Sequence, residues 1–365
     1  MPNPGSRSRD GGQAANYQQL YLVVEDSEWG CGIHKIDLSS VWDSDDDVAV
    51  PPHTLPGKRS EWPLLPPAFF RLESHPRLPG YMTAAFGTKI ISMAPKLLTD
   101  TYRPFVRSST AAILDVHTRE MTMAPESKVN MFFPIYFPLA DALYVLYSEG
   151  FQALFPPMPD STPEGFWSVL PKPPFWCEHV TSYGVYPDKK TIFVSVARDH
   201  SGVPGIYTFN TAKPSQWLPH QKDDHSELPF MGQVHFDSRL QSLVGLSQNP
   251  GNICFCDPMF NVTAEVSKEG LFCNEADECE VGTILVHMVD TSKFCLVQCI
   301  CVDQDSEGCE PGELPYSYLF RLAIFSVQRD INGKLMIGSS LRVRYYRVPD
   351  YCYLYTLASP LAFWM

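Results

Sequence analysis

The residues best suited to metal chemistry are cysteines. Cys295, Cys299 and Cys301 share one parity of an extended segment, so their side chains would lie on one face, and Cys309 follows close behind. Four thiolates could hold zinc, but structural zinc sites pair their ligands on turns, in two separated knuckles. Here the intervening residues Phe294, Leu296, Ile300 and Val302 are apolar too. That pattern describes a central strand buried on both faces, in which cysteine serves as a small hydrophobe. Cys254 and Cys256 read the same way, so no metal and no cofactor is expected.

Histidines and carboxylates offer less. His220 and His225 fall in an acidic polar segment, Pro219 to Glu227, of a composition common in solvated loops. His235 alternates with Val234 and Phe236 as a strand residue with a structural hydrogen bond, and His179 stands before a strand without an assignable partner. Carboxylates concentrate in Asp43–Asp47, Asp223–Glu227, Glu275–Glu280 and Asp303–Glu313. No nucleophile elbow, phosphate-cradling glycine loop or dinucleotide fingerprint occurs, so catalytic residues are not assignable. Trp62, Trp167 and Trp217 recur near the starts of outer strands, a placement that favours packing between neighbouring sheets over a ring of recognition anchors. Tyr345, Tyr346, Tyr351, Tyr353 and Tyr355 form a less regular cluster, readable as an exposed patch or as part of a closing strand.

The elements that must position these residues are strands. The chain has 365 residues, 44% of them hydrophobic, with 33 prolines, nearly twice the usual ~5%, which argues against a helix-dominated fold. The formal charge of −13 argues against a nucleic-acid or anionic-membrane surface. Residues 1–16 contain Arg7 and Arg9 but no apolar core, so they read as a disordered leader, not a secretory signal. An intracellular, reducing location, cytoplasmic or nuclear, is therefore expected, with the eleven cysteines free and the sequon at Asn261 silent.

Self-similarity fixes the expected architecture. Four stretches repeat an apolar strand, a turn and a second apolar strand: Thr83–Met93, Phe133–Leu146, Thr181–Val196 and Gln233–Leu246. Third strands follow at Ala111–Asp115, Phe151–Phe155, Ile206–Asn210 and Ile253–Asp257, and fourth segments at Met121–Pro125, Trp167–Pro171, Trp217–Pro219 and Val262–Val266. Units of roughly 40 to 55 residues suit the four-stranded blades of a propeller. At the ends, Leu20–Glu25, Gly32–Leu38 and Trp62–Leu65 supply three strands of a first blade. Thr283–Val289, Phe294–Val302, Tyr318–Val327 and Leu341–Val348 supply a last one, with a hairpin turn at Asn332-Gly333. The apolar C-terminus, Pro360 to Met365, is placed to complete the first blade and close the ring. A two-sheet sandwich is the competing reading, disfavoured by the near-regular period. The expectation is thus an all-β chain, a single six-bladed propeller over residues 17–365.

Several separated segments, matching in order, carry a family resemblance: Ala85-Phe-Gly-Thr-Lys-Ile-Ile, Ile113-Leu-Asp-Val-His-Thr-Arg119, His179-Val-Thr-Ser-Tyr-Gly-Val-Tyr-Pro-Asp188, Ser267-Lys-Glu-Gly-Leu-Phe272 and Arg342-Val-Arg-Tyr-Tyr-Arg-Val-Pro349, with the ending Ala362-Phe-Trp-Met365. Together they resemble a plant family of unknown function, numbered 1668 among such domains and expanded in grasses. That resemblance implies a kelch-like propeller, although the paired glycines of kelch blades are absent, and it brings no activity, cofactor or site residue. Plant kelch-like propellers often follow an F-box, for which the residues before the first strand leave no room. The functional expectation is a monomeric interaction module that binds another protein, favouring one with a basic surface, without nucleic acid or membrane. The competing expectation is a hydrolase of a sugar or small ester using paired carboxylates in a central funnel.

Overall fold

The computed structural model describes residues 19–26, 30–38, 62–72, 81–95, 109–129, 131–148, 150–156, 165–197, 204–220, 227–249, 251–258, 264–267, 271, 278–288, 292–303, 316–338, 340–349 and 359–365. Among them the chain is all-β, with one 3-10 turn at Cys177–His179 and no helix long and apolar enough to cross a membrane.

The described strands fall into six sets, five of four strands and one of five. Set 1 holds β1 (Leu20–Asp26), β2 (Gly30–Ile36) and β3 (Ala68–Leu72), with β25 (Leu361–Trp364) on the free edge of β1. Set 2 is β4 (Met82–Ala85), β5 (Lys89–Pro95), β6 (Ser109–Asp115) and β7 (Met121–Ser127). Set 3 is β8 (Ile135–Pro138), β9 (Leu143–Tyr147), β10 (Gly150–Phe155) and β11 (Phe166–Leu170). Set 4 runs β12 (Val180–Val185), β13 (Thr191–Val196), β14 (Gly205–Asn210) and β15 (Leu218–Pro219). Set 5 runs β16 (Phe230–Asp237), β17 (Ser242–Ser247), β18 (Ile253–Cys256) and β19 (Glu265–Val266). Set 6 is β20 (Glu278–Met288), β21 (Lys293–Asp303) and β22 (Tyr316–Arg329), with β23 (Leu335–Ile337) and β24 (Arg342–Arg347) both paired to β22.

Within each set neighbouring strands are antiparallel, and the sequence shows why the sets associate. The middle strands are apolar at both parities. Every residue of β9, Leu-Tyr-Val-Leu-Tyr, is buried. Leu143, Val145 and Tyr147 join a core with set 2, whereas Tyr144 and Leu146 join one with set 3's other neighbour, set 4. In β21, Phe294 and Leu296 face set 5, and Cys295, Val297 and Cys299 face set 1. A one-residue slip would exchange every contact, so register is strongly specified. The cores follow one another around the chain: sets 1 and 2, 2 and 3, 3 and 4, 4 and 5, 5 and 6, then 6 with 1. In that last core Leu20, Leu22, Val24 and Ala362 meet Val297, Phe320, Leu322 and Ile324.

Three details depart from the sequence reading. Trp62–Leu65 is not a strand: only Leu64 bridges, to Arg347, and the third strand of set 1 is Ala68–Leu72. Prolines at 63, 66 and 67 remove the amide donors a ladder there would need. The Asn332-Gly333 turn leads into β23, a short strand the sequence reading omitted. Finally, β12 pairs with β16 in parallel, through Ser182, Tyr183 and Gly184 against Gly232, Gln233 and Val234, which merges sets 4 and 5 into one sheet.

That junction depends on glycine. A Cβ at Gly184 would stand 2.6 Å from the Val234 carbonyl oxygen and 2.7 Å from Phe193 Cζ, with no flexible side-chain end to yield. Gly184→Val should therefore lower the unfolding free energy by about 2 kcal/mol or more, measured by urea denaturation. The same change at Gly87, whose φ is +82° but which has open space around it, costs only local turn strain and serves as comparison.

Candidate functional site

The turns between strands are fastened by side chains that could otherwise do chemistry. Asp115, Asp188, Asn210, Asp237 and Asp330 each accept two backbone amides of the turn that follows. This Asx geometry lets the chain reverse where Lys189 and Gln241 adopt positive φ of 54° and 53°. Three of these residues, Asp115, Asn210 and Asp237, end a strand, Asp330 directly follows β22, and Asp188 follows shortly after β12.

Asp237 does more than turn the chain. It is 1% exposed, accepts the Ser292 hydroxyl at 3.0 Å, and stands 3.4 Å from His287 Nε2. The His287 ring stacks on Phe294, and its centroid is 5.8 Å from that of His235. Serine, histidine and aspartate thus meet, but not in the order nucleophilic catalysis needs. There the imidazole takes the serine proton and the carboxylate orients the imidazole. Here Ser292 donates to the carboxylate directly, so its oxygen is not activated by His287. The cluster works as a latch between the β16–β17 turn of set 5 and the β20–β21 turn of set 6. Arg329 adds to it, donating to the Leu240 carbonyl and the Ser242 hydroxyl. His235 spans the same seam, its Nε2 donating to the Leu285 carbonyl at 2.9 Å.

A second buried polar pair lies deeper in that seam. Arg321 is 0% exposed and donates through Nη1 to the Leu271 carbonyl at 2.7 Å and to Gln298 Oε1. It was not singled out in the sequence. Its signal was a lone charge in the middle of the apolar run Tyr318–Val327.

The cysteines lie where the strand pattern placed them. Cys295 and Cys299 are fully buried in the core between sets 6 and 1, and burial pushes the Cys295 thiol up to about 12. Cys254 and Cys256 are buried between sets 4 and 5, and burial followed by the neighbouring Cys256 pushes Cys254 up to about 12. Thiols so raised are neither nucleophiles nor ready metal ligands. Cys309 and His225 lie outside the described residues. His220 donates its backbone amide to Ile206, and His179 ends the 3-10 turn. The tryptophans pack. Trp217 sits among Phe151, Phe175 and Phe209 between sets 3 and 4, Trp167 donates to the Pro125 carbonyl of set 2, and Trp62 covers Ile300 and Leu319 of set 6. Tyr345 is buried, whereas Tyr351, Tyr353 and Tyr355 lie outside the described residues.

The strands that open sets 2 to 6, with β25 at the edge of set 1, present few acids. Among the described side chains of β4, β8, β12, β16, β20 and β25, the carboxylates are Asp237 and Glu280, and Thr283 donates to Glu280. Phenols are present instead. Burial, then the nearby phenols of Tyr81 and Tyr183, pushes Tyr136 well above the ordinary tyrosine value, and Tyr183 is pushed up to about 12 by burial and then by Cys177.

An open cleft of about 530 Å³ lies at the seam of sets 1 and 6. Gly32 and His34 of β2 and Arg71 of β3 form one side, Arg347 of β24 the other, and the segment Leu64 to Pro67 crosses it. Arg347 is held by its backbone, which donates to the Pro63 carbonyl. His34 is 7% exposed, and its Nδ1 lies 2.6 Å from the Pro66 carbonyl. Burial lowers its pKa, against the opposing pull of that hydrogen bond. Sequence reading missed this site because its residues come from three strands and a proline-rich crossing far apart in the chain.

The latch has a pH signature. Burial raises the Asp237 carboxyl, but His287, the Leu240 amide, the Ser292 hydroxyl and the Arg239 amide together outweigh it and hold it at about 2. A value below that of the unfolded chain means stabilisation present above about pH 4 and lost as pH falls toward 2, of about 2 kcal/mol. His235 is held at about 4, first by burial and then by His287, so its contribution is present above about pH 6.5 and lost toward pH 4. Asp237→Asn should flatten the acid limb of stability between about pH 4 and 2, and His235→Gln the limb between about 6.5 and 4, both read from urea midpoints across pH.

Comparison with known proteins adds a family but no activity. Among solved structures, the chain is similar to the periplasmic gluconolactonase PpgL of Pseudomonas aeruginosa, at 12% identity and TM-score 0.46 over 91% of this chain and 99% of that one. It is also similar to a putative 6-phosphogluconolactonase of Bacteroides uniformis, at 11% identity and TM-score 0.41 over 91% and 98%. TolB of Acinetobacter baumannii matches at 12% identity and TM-score 0.37 over 94% and 82%. Likenesses this weak carry no argument about chemistry. A search of curated proteins returned no match. The family model for DUF1668, a protein family of unknown function, matches residues 17–345, and with most of its length inside that match the chain belongs to the DUF1668 family.

Proposed function

We propose that the six sets are the blades of one kelch-like β-propeller, with β25 as the innermost strand of the first blade, and that this ring is a rigid module for binding another protein. The ring reading is supported by the succession of shared cores, in which the last set packs on the first. The observation that carries the binding reading is the commitment of the chemically capable side chains to structure. Asp237, His235, His287 and Ser292 fasten seams, and burial holds the Cys254 and Cys295 thiols protonated. Recognition then falls to the connections between strands, which rigid scaffolds commonly use for binding. The acidic charge of −13 favours a basic partner and salt-sensitive association. The partner is a protein and not a nucleic acid or a membrane, and the module acts as a monomer in the cytoplasm or nucleus. Hydrolysis by paired carboxylates draws no support from the described first strands, whose acids are Asp237 and Glu280.

The test is affinity capture on the immobilised chain from extract of its own cells, at about 50 and about 300 mM salt, with crosslinks mapped by mass spectrometry. The expected result is one reproducible basic protein, weakened at the higher salt and crosslinked to the connections between strands. No reproducible partner at either salt, or turnover of model esters or glycosides, overturns the reading.

A further inference from the structure

The cleft between sets 1 and 6 has a chemistry opposite to the rest of the chain. Against a net charge of −13, its described lining residues include Arg71, Arg347 and His34 and no aspartate or glutamate. The neighbouring Glu25 pairs in register with Cys31, whose side chain joins the core on the other face of the sheet. Volume suits a small organic molecule, since such sites commonly span ~300–1,000 Å³.

Two side chains there are poised for a ligand. Arg347 Nε is buried without a hydrogen-bond partner among the described residues, a costly state for a charged donor unless something supplies an acceptor. His34 supplies the complementary function. Its Nδ1 can bond the Pro66 carbonyl only as a donor, so in the neutral ring Nε2 keeps its lone pair. That Nε2 lies over Gly32, another cleft residue, where an added Cβ would come within 3.0 Å of it. Leu64, Leu65 and Pro66 give the cleft an apolar wall that fits a short carbon chain.

We propose that this cleft binds a small organic oxyanion, a carboxylate or phosphate ester, that also carries a hydroxyl group. Arg347 takes the oxyanion, for which the planar guanidinium fork is matched, with the charge of Arg71 across the cleft adding to the positive potential. His34 Nε2 accepts the ligand hydroxyl proton. The site lies on the seam that joins the first and last sets, so an occupant also bridges the two. It stands independently of any protein partner.

Calorimetric titration and thermal unfolding of the full chain, in low salt, test this with four probes: glycerol 3-phosphate, propyl phosphate, malate and succinate. The two pairs separate phosphate from carboxylate, and within each pair only the first has a hydroxyl. At least one hydroxylated probe should bind, raise the melting temperature, and bind more tightly than its partner. Arg347→Gln should weaken that binding about tenfold or more, while Arg344→Gln, which removes the same charge outside the cleft, should not. A melting temperature of Arg347→Gln close to that of the parent confirms that the variant folds. If it does not fold, Arg347→Lys, which keeps charge but loses the fork, replaces it with the same expected direction. No binding by any probe up to about 10 mM, or undiminished binding by the folded variant, overturns the proposal. Equal binding within both pairs overturns the role given to His34.

Discussion

The packing of β1 and β25 against β21 and β22 holds together what the chain would otherwise leave apart. Leu20, Leu22 and Val24 of β1 and Ala362 of β25 share a core with Cys295, Val297, Phe320, Leu322 and Ile324. The pairing of Leu20 to Val23 with Trp364 to Leu361 adds backbone hydrogen bonds between residues at opposite ends of the sequence. Without this seam, set 1 and set 6 would each expose one apolar face, and β1 would be an unpaired edge open to aggregation. The other shared cores lie between sets adjacent in sequence, so their loop-closure cost is smaller; this one carries the longest closure in the chain.

Burial of both faces of the sheets explains the chemical quiet of the interior. Strands such as β9 and β21 have no solvent face, so a polar group entering them costs free energy unless a partner meets it. Arg321 finds Gln298 and the Leu271 carbonyl, His235 the Leu285 carbonyl, and Asp237 two amides and a hydroxyl. Each of these fastens set 5 to set 6. The cleft at the seam of sets 6 and 1 is different: there Arg347 Nε has no hydrogen-bond partner among the described residues, and His34 Nε2 keeps a lone pair when Nδ1 donates to Pro66.

The strands were legible because their pattern is local. Apolar runs bounded by Pro187-Asp188 or Asp237-Ser238 give both the strand and its turn, and the observed β12–β13 and β16–β17 hairpins follow them. The expected pairing of the C-terminal segment with the first strands was legible for a similar reason, an apolar segment matched to a set one strand short. What the sequence concealed is set by tertiary contact. Trp62 to Leu65 has strand-like composition, yet its prolines and its packing on set 6 make it a crossing segment, and Ala68–Leu72 pairs instead. The parallel β12–β16 junction rests on Gly184, where a Cβ would meet the Val234 carbonyl of the neighbouring strand, and includes Gly232, whose φ is +71°. His34, Arg71 and Arg347 carried no motif, because nothing in their spacing along the chain reports that they meet.

The central claim is that the two ends of the chain are joined in one cooperative seam. Equilibrium urea unfolding, followed together by tryptophan fluorescence and far-ultraviolet circular dichroism, measures this on the full chain and on a chain lacking residues 361–365. The account predicts that removing Leu361 to Met365 lowers the unfolding free energy by about 4 kcal/mol or more and separates the two transitions, as sets 1 and 6 open before the rest. Coincident transitions with an unchanged midpoint and slope in the shortened chain would contradict it.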